Sequence, residues 1–257
     1  MIQRKTPEQI EQMAAAGSIL ARTHDLLASK VRPGITTGEL DDIAERFIRS
    51  KGAEPSFKGY RGFPGSICAS PNSMIVHGIP GDYTLDRGDI ISIDIGVTYN
   101  GWVADAAVTL PVGPVSPIAH RLLDTTKASL FEGIEQARAG NHLGAVSHAI
   151  QQRVEKDGFS VVRSLVGHGI GREMHEEPQI PNYGEPDDGP VLEEGMVLAI
   201  EPMVTVGAHP IRVGGDNWSV YSQDGSLAAH FEHTVAVTSD GPRILTPWHI
   251  EEQARAA

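Results

Sequence analysis

The amino-acid sequence predicts an α+β domain built from two similar halves, each a pair of helices followed by antiparallel strands. Hydrophobic residues recur at helical spacing in two separate regions, and β-rich segments bounded by turn residues follow each region. Two sets of three glycines also share one spacing: Gly34, Gly38 and Gly52, and Gly140, Gly144 and Gly158. Chance similarity between glycine-terminated helices is the alternative. We predict a single domain over 1–257 with an internal repeat, roughly 34–112 and 140–238.

Two helices open the chain. Thr6, followed three residues later by Gln9, predicts a capping box for the first helix. The second helix should run from Thr36 or Thr37 to about Ser50. The residues expected to face the core recur at three- and four-residue intervals: Ile10, Met13, Ala14, Gly17, Leu20 and Leu27, then Leu40, Ile43, Phe47 and Ile48.

A β-hairpin is the clearest strand signal. Asp89–Tyr99 and Trp102–Val112 are rich in β-forming residues, and Asn100-Gly101 between them favours a type I′ turn because both turn residues need positive φ. Before the hairpin we expect a glycine- and proline-rich loop over Pro55–Gly65. Short strands are predicted at Ser66–Ala69 and Met74–Val76.

The helical pattern then returns. Ser116-Pro117 begins a third helix, and Asn141 caps a fourth helix that stops at Gly158. Their apolar residues recur at helical spacing: Ile118, Leu122, Leu123, Leu130 and Ile134, then Val146, Ile150 and Val154. The remaining strand patterns cover Ser160–Val166, Met196–Val206, Trp218–Ser222 and Leu227–Thr238. Asp224-Gly225 predicts a second hairpin turn.

Composition excludes several classes of protein. The 257 residues are 40% hydrophobic and 21% charged, which suits a globular domain with a core. The net charge of −12 argues against broad binding to nucleic acid or to anionic membranes, although a local basic patch is still allowed. We expect no specific nucleic-acid partner and no membrane association. The N-terminal residues lack the apolar region of a signal peptide, and no run is long enough to span a bilayer. Cys68 is the only cysteine, so an intrachain disulfide and a cysteine-based zinc site are both excluded.

Two acids share one face of the hairpin. With Asn100 and Gly101 at the turn, residue 94 pairs with 107 and residue 96 with 105, so Asp94 and Asp105 are diagonal neighbours. Their Cβ atoms should lie less than about 8 Å apart. Such a pair needs a proton, a base or a metal to offset the repulsion. Solvent exposure of one acid, or a carboxylate dyad as in glycosidases and aspartic proteases, are the alternatives.

Further metal-ligand candidates lie in the second half. His168 is flanked by Gly167 and Gly169, Glu201 ends an apolar strand, and Glu232 lies within another. Each residue alone is compatible with a structural or solvent-facing position. His175 is not part of a zincin motif. His230 is an extra imidazole whose role the sequence leaves open, and we favour a structural one.

These residues together resemble a known family. Five of them are similar to the ligand set of the pita-bread metallopeptidases: Asp94, Asp105, His168, Glu201 and Glu232. The surrounding strings resemble type I methionine aminopeptidases in their short bacterial form: His77-Gly78-Ile79-Pro80, Gly167-His168-Gly169-Ile170-Gly171, His175-Glu176-Glu177-Pro178, Glu201-Pro202 and Phe231-Glu232-His233-Thr234. The resemblance covers nearly the whole chain and implies the pita-bread fold, with two pseudo-symmetric halves around a dinuclear metal site.

The resemblance implies a role for each ligand. Asp94 would chelate one divalent ion, Asp105 and Glu232 would bridge two, and His168 and Glu201 would complete the second site. The ions could be Co, Mn, Fe or Zn, because carboxylates with one imidazole accept them all.

The resemblance also implies a reaction, the removal of N-terminal methionine before a small uncharged second residue. A hydroxide between the ions would attack the methionine carbonyl, and Glu201 would accept and relay its proton. His175 would stabilise the oxyanion, and His77 would hydrogen-bond near the scissile amide.

The implied methionine pocket is apolar: Tyr60, Phe63, Cys68, His77, Met174 and Trp218. Phe63 and Met174 stand where relatives commonly have tyrosine and phenylalanine, which should change affinity but not specificity. A monovalent-cation site near Asn72 is a further expectation. The implied substrates are nascent polypeptide N-termini, with room for transient ribosome association, and we expect a cytoplasmic monomer.

Two other functions remain open. An X-Pro dipeptidase or aminopeptidase P shares the implied fold and ligands but usually carries an added N-terminal domain. A metal-free binding homologue is the second alternative, although such homologues lose ligands and this chain keeps all five.

Overall fold

The computed structural model describes residues 2–249. These residues contain four α-helices: α1 (Pro7–Ala28), α2 (Thr37–Ser50), α3 (Pro117–Gln136) and α4 (Leu143–Lys156). The predicted capping box at Thr6 and Gln9 is present, and Thr36 forms a second one with Glu39. The first three helices therefore begin within a residue of their predicted starts.

The fourth helix begins later than predicted. Asn141 does not cap α4, because its side-chain amide donates to the carbonyl of Gln136, the last residue of α3 (2.9 Å). His142 occupies the cap position without a side-chain hydrogen bond. Of the apolar residues predicted for α3, Ile118 is exposed (37%), and the other four are buried: Leu122, Leu123, Leu130 and Ile134.

The strands of the described residues form four sheets. The four-stranded sheet contains β1 (Glu54–Pro55), β2 (Cys68–Pro71), β4 (Ile90–Tyr99) and β5 (Trp102–Pro111). The five-stranded sheet has the order β15 (Gly241–Ile244), β14 (His233–Thr238), β9 (Val197–Ile200), β7 (Gly167–Gly169) and β8 (Glu176–Ile180). Two three-stranded sheets have the orders β13 (Ala228–His230), β10 (Met203–Thr205), β6 (Ser160–Val161), and β11 (Ile211–Val213), β12 (Val220–Ser222), β3 (Met74–Val76).

The predicted hairpin register is confirmed. Asn100 and Gly101 have φ angles of 51° and 75°, as a type I′ turn requires. Asp94 pairs with Ala107, and Gly96 pairs with Asp105. The two acids therefore lie on the same face, and the isoleucines of the other face of β4 are buried in the main core.

Several predicted strands are broken. The continuous pattern over 196–206 is interrupted at Glu201-Pro202, and that over 227–238 is interrupted at Phe231-Glu232. Asp224-Gly225 forms a turn but not a hairpin, because the strands on either side, β12 and β13, belong to different sheets. The prediction also missed β1, β7, β8, β11 and β15, which carry weak or short apolar patterns. Of the strand predicted over 160–166, only β6 (Ser160–Val161) forms.

The internal repeat stays a prediction, but matching hydrogen bonds support it. The Gly34 amide donates to the Leu85 carbonyl at 2.8 Å, and the Gly140 amide donates to the Leu192 carbonyl at 2.9 Å. Gly38 donates to the Gly81 carbonyl at 2.8 Å. The equivalent bond in the second half runs from the Gly144 amide to the Asp188 carbonyl at 2.8 Å. The Leu85 amide donates to the Ile35 carbonyl (2.9 Å), as the Leu192 amide does to the Asn141 carbonyl (2.8 Å).

The helices pack on the sheets and leave the acidic face of the hairpin turned toward the second half. Helix α1 contacts β4 and β5, and α3 contacts α4, β9, β10, β13 and β15. No helix among residues 2–249 is both long enough and apolar enough to cross a membrane.

Candidate active site

Five sequence-distant segments bring the predicted metal ligands together. Asp94 and Asp105 lie on the paired strands β4 and β5, and His168 lies on β7. Glu201 follows the end of β9, and Glu232 lies between β13 and β14. The last two residues are at the strand breaks, where the backbone turns out of the ladder and directs the side chains between sheets.

Two threonines fix the backbone around this cluster. The Thr234 hydroxyl accepts from the Asp105 amide (3.0 Å) and donates to the Asp105 carbonyl (2.7 Å). The Thr109 hydroxyl does the same for His230, at 2.8 Å in both directions. The Glu232 amide donates to the Ala107 carbonyl at 2.9 Å. These bonds attach β5 to the segment that carries Glu232.

The ligand atoms lie close together but mostly without hydrogen bonds. His168 Nε2 is 3.9 Å from Asp105 Oδ2 and 3.6 Å from Glu201 Oε1. One oxygen each of Asp94, Asp105 and Glu232 is buried without a partner among the described residues. Two groups of possible ligand atoms each lie within 4.8 Å of one another: Asp105, His168 and Glu232, and Glu201, His230 and Glu232.

The acids are far from their ordinary protonation equilibria. Burial raises the pKa of Asp94 to about 7, and it raises the pKa values of Asp105, Glu201 and Glu232 well above their usual range. Neighbouring carboxylates raise the pKa values of Asp105 and Glu232 further. The cluster therefore needs added positive charge to hold all four carboxylates ionised.

The imidazoles around the cluster are held neutral. Burial lowers the pKa values of His77 and His168 to about 4 each. Burial also lowers the pKa values of His175 and His230. Neutral imidazoles are the form that binds metal. Unpaired buried carboxylate oxygens beside neutral imidazoles fit a divalent metal centre, and no described lysine or arginine forms an ion pair with these acids.

A cavity of about 180 Å³ opens from the cluster. It is lined by the five predicted ligands and by five of the six predicted pocket residues: Tyr60, Phe63, Cys68, His77 and Trp218, together with His175. Met174, which was predicted to line the pocket, is not part of this lining. It is buried and packs, with the half-buried Phe57, against Gly96, where a Cβ would meet both side chains within 2.8 Å. Phe57 and Arg61 also line the cavity but were not predicted from the sequence; both belong to the aromatic-rich loop before β2.

Aromatic contacts shape the cavity mouth. The Tyr60 hydroxyl bonds to His175 Nδ1 (2.8 Å), and the His175 and His168 ring centroids are 4.3 Å apart. Phe63 packs edge-on against Trp218, with centroids 5.1 Å apart. The walls are therefore mainly apolar, and the polar groups converge at the metal end.

Asn72, the residue singled out for a cation site, is engaged in protein hydrogen bonds. Its amide donates to Asp89 Oδ1 (2.9 Å), and its Oδ1 accepts from the Ile90 amide (3.1 Å). The Asn72 carbonyl accepts from the Ala228 amide at 2.9 Å. The cation site there stays a prediction.

A buried ion pair supports the turn that carries His175. Lys5 Nζ lies 2.7 Å from Glu176 Oε2, with 4% and 8% of the two side chains exposed. Glu176 Oε1 also accepts from the amides of Arg172 (2.9 Å) and Glu173 (3.3 Å). The pair thus joins the N-terminal segment to the end of the site.

Replacing Lys5 with methionine should lower the free energy of unfolding by about 3–5 kcal/mol, because Glu176 stays buried without its partner. Urea unfolding measures the loss. Arg4→Met is the matched control, since the Arg4–Glu193 pair is about half exposed and contributes about 1 kcal/mol or less. Equal losses in the two variants would contradict this account of the buried pair.

Metal binding should release protons near neutral pH. Since the folded acids have raised pKa values, they carry protons that a metal must displace, so metal affinity should rise as the pH rises through about 7, the pKa of Asp94. Without metal, the stability of the fold should change in the opposite direction. Because the folded acids bind more protons than the unfolded chain does, the free energy of unfolding of the metal-free protein should fall as the pH rises toward about 7. Calorimetric titrations in two buffers of different ionisation enthalpy measure the release. Identical apparent enthalpies would mean that no proton leaves.

The comparisons with known proteins agree with this geometry. The model of metallopeptidase family M24 matches residues 11–239. A Bacillus subtilis (strain 168) protein named methionine aminopeptidase 1 is 54% identical over 246 residues, which covers 96% of this chain and 99% of the relative. The crystal structure of methionine aminopeptidase from Rickettsia prowazekii superposes with a TM-score of 0.95 at 42% identity and covers 96% of this chain and 100% of that one.

A more distant structure shares the fold alone. The Xaa-Pro dipeptidase from Bacillus anthracis has a TM-score of 0.77 at 24% identity, with 96% of this chain and 63% of that chain covered. The predicted pita-bread fold is confirmed by these likenesses, and so is the divalent-metal class of the site. The chain belongs to metallopeptidase family M24.

Proposed function

We propose that this protein is a methionine aminopeptidase, which hydrolyses the bond after an N-terminal methionine. The observation that carries the proposal is the cavity that ends on a buried cluster of acids and imidazoles and is walled by aromatic side chains. Full-length similarity to proteins named methionine aminopeptidase supports the same activity.

Two divalent ions are part of the proposal. Asp94, Asp105 and Glu232 would hold one ion, and Asp105 and Glu232 would share the second with His168 and Glu201. When bound, such ions polarise a carbonyl and lower the pKa of water, which supplies a nucleophile at neutral pH. Cobalt, manganese, iron and zinc all suit carboxylates with imidazole.

Three side chains handle the substrate beside the ions. Glu201 accepts a proton at a carboxylate oxygen and returns it to the leaving amine. The Tyr60 hydroxyl lies 2.8 Å from Nδ1 of the neutral His175. In the tautomer that carries its proton on Nε2, Nδ1 accepts from this hydroxyl and Nε2 can donate to the developing oxyanion. His77, which lines the same cavity, donates or accepts at the scissile amide.

The apolar wall would select methionine. Phe63 and Trp218 meet edge-on, and Cys68 is a buried thiol on β2 directly opposite Asp94. A flexible thioether packs well against aromatic rings of this kind. A narrow cavity of about 180 Å³ suits one side chain, with a small uncharged residue after it.

We further propose nascent polypeptide N-termini as the natural substrates and a cytoplasmic monomer as the working form. Contact with the ribosome would be transient, because a net charge of −12 opposes lasting association with RNA.

The peptide Met-Ala-Ser assayed beside Ala-Pro peptides tests the proposed specificity. We expect free methionine from Met-Ala-Ser and no cleavage of Ala-Pro. Cleavage of Ala-Pro alone would instead assign an X-Pro peptidase. Metal analysis adds a second arm: no bound metal, with no activity after adding Mn²⁺ or Co²⁺, would favour a metal-free binding protein.

A further inference from the structure

His230 is a buried imidazole that the proposed reaction does not use. Only 1% of the residue is exposed, and neither ring nitrogen has a hydrogen-bond partner among residues 2–249. A buried polar group left without a partner is destabilising, so an unpaired ring in a native fold calls for an explanation, such as an ion or a water.

The backbone holds this ring in place. Both the amide and the carbonyl of His230 bond to the Thr109 hydroxyl at 2.8 Å, and Thr109 also bonds to Ser92 at 2.8 Å. The main chain also pairs with Met203 of β10. The backbone groups of His230 therefore have their own hydrogen-bond partners, and the side-chain ring is the part of the residue that lacks them.

The ring nitrogen faces two of the proposed ligands at more than hydrogen-bond length. His230 Nε2 lies 3.6 Å from Glu201 Oε2 and 3.9 Å from Glu232 Oε2. A direct bond would shorten these distances to about 2.9 Å. Two atoms that bind one zinc ion lie roughly 3–3.5 Å apart, because each is about 2.1 Å from the ion. The observed spacing is closer to that of ligands around an ion.

The cluster divides into two equivalent triads. Asp105, His168 and Glu232 form one, and Glu201, His230 and Glu232 form the other. The two imidazoles face opposite oxygens of Glu201, each at 3.6 Å. Each triad thus contains one imidazole and two carboxylates, with Glu232 in common.

We propose that His230 is a metal ligand, which binds through Nε2 together with Glu201 and Glu232. The centre then carries two imidazoles instead of one. A second nitrogen ligand shifts the donor set from manganese toward zinc and cobalt, which bind imidazole more strongly. The proposal rests on the proposed binding of divalent metal, and it does not depend on the peptide that is cleaved.

X-ray absorption at the zinc edge tests the proposal on the full-length, zinc-loaded protein. We expect scattering from two imidazoles per chain. His230→Gln should lose one of them, His168→Gln should lose one as well, and His120→Gln, at an exposed site on α3, should lose none. The count in the unmodified protein needs no variant to fold.

Metal titration gives a second readout. His230→Gln should weaken zinc binding about 10- to 100-fold and manganese binding less. A single imidazole in the unmodified protein, unchanged in His230→Gln, would overturn the proposal and leave the proposed function intact. Absence of bound zinc in the unmodified protein would overturn both, so the two failures are distinguishable.

Discussion

Glu201→Gln is expected to lower kcat at least about 100-fold, because an amide cannot accept the proton that the carboxylate takes up. The effect should appear mainly in kcat, since Glu201 is not one of the apolar lining residues proposed to bind methionine. Steady-state cleavage of Met-Ala-Ser at saturating metal measures the loss.

The variant should still fold. The Glu201 carbonyl accepts from the side-chain amide of Asn182 at 3.0 Å, and this bond does not involve the Glu201 side chain that changes. Removal of one buried acid also relieves repulsion in the cluster, so the metal-free variant should unfold at a urea concentration equal to or above that of the parent. Glu135→Gln, where 66% of the side chain is exposed, is the matched control. Near-normal kcat in Glu201→Gln would contradict the assigned role.

His175→Ala is expected to lower kcat about 100-fold through the loss of one donor to the developing oxyanion. The ring lies between Tyr60, which bonds to Nδ1 at 2.8 Å, and the His168 ring. Tyr60→Phe keeps the stacked ring but removes the hydroxyl that directs the proton to Nε2. We expect a smaller loss of kcat from this second variant.

The metal content of the variants shows whether His175 acts on the substrate or supports the metal centre. Both variants should bind metal in the same stoichiometry as the parent, because neither residue belongs to the proposed ligands. His148→Ala, on the helix α4, serves as a control for loss of an imidazole elsewhere. If His175→Ala lost its metal along with its activity, His175 would act on the metal centre and not on the substrate.

The hairpin shows what the sequence can predict. Asn100-Gly101 determines the turn, the turn determines the register, and the register places Asp94 and Asp105 on one face. The capping box of Thr6 and Gln9 is similarly local, since its atoms are three residues apart. These two local features were predicted correctly, whereas the predicted cap at Asn141 was wrong because its side chain bonds to Gln136 at the end of α3.

Long-range features were harder to predict. The strands predicted over 196–206 and 227–238 span Glu201 and Glu232, although in the structure both strands break at these residues to form the site. Asp224-Gly225 has the local signature of a hairpin, yet β12 pairs with β3 and β13 pairs with β10. The Thr109–His230 bonds join residues 121 positions apart. Alternation could have placed Thr109 on the face of Asp105, but nothing local identifies its partner.

The most direct test of the proposed function is a panel of Met-Xaa peptides incubated with the metal-free protein, before and after two equivalents of Co²⁺ or Mn²⁺ are added. Released methionine is measured by mass spectrometry. We expect no release without metal, and release with metal from peptides in which Xaa is small and uncharged. Methionine release that persists without metal, or none with it, would contradict the assignment of Asp94, Asp105, His168, Glu201 and Glu232 to a catalytic metal centre.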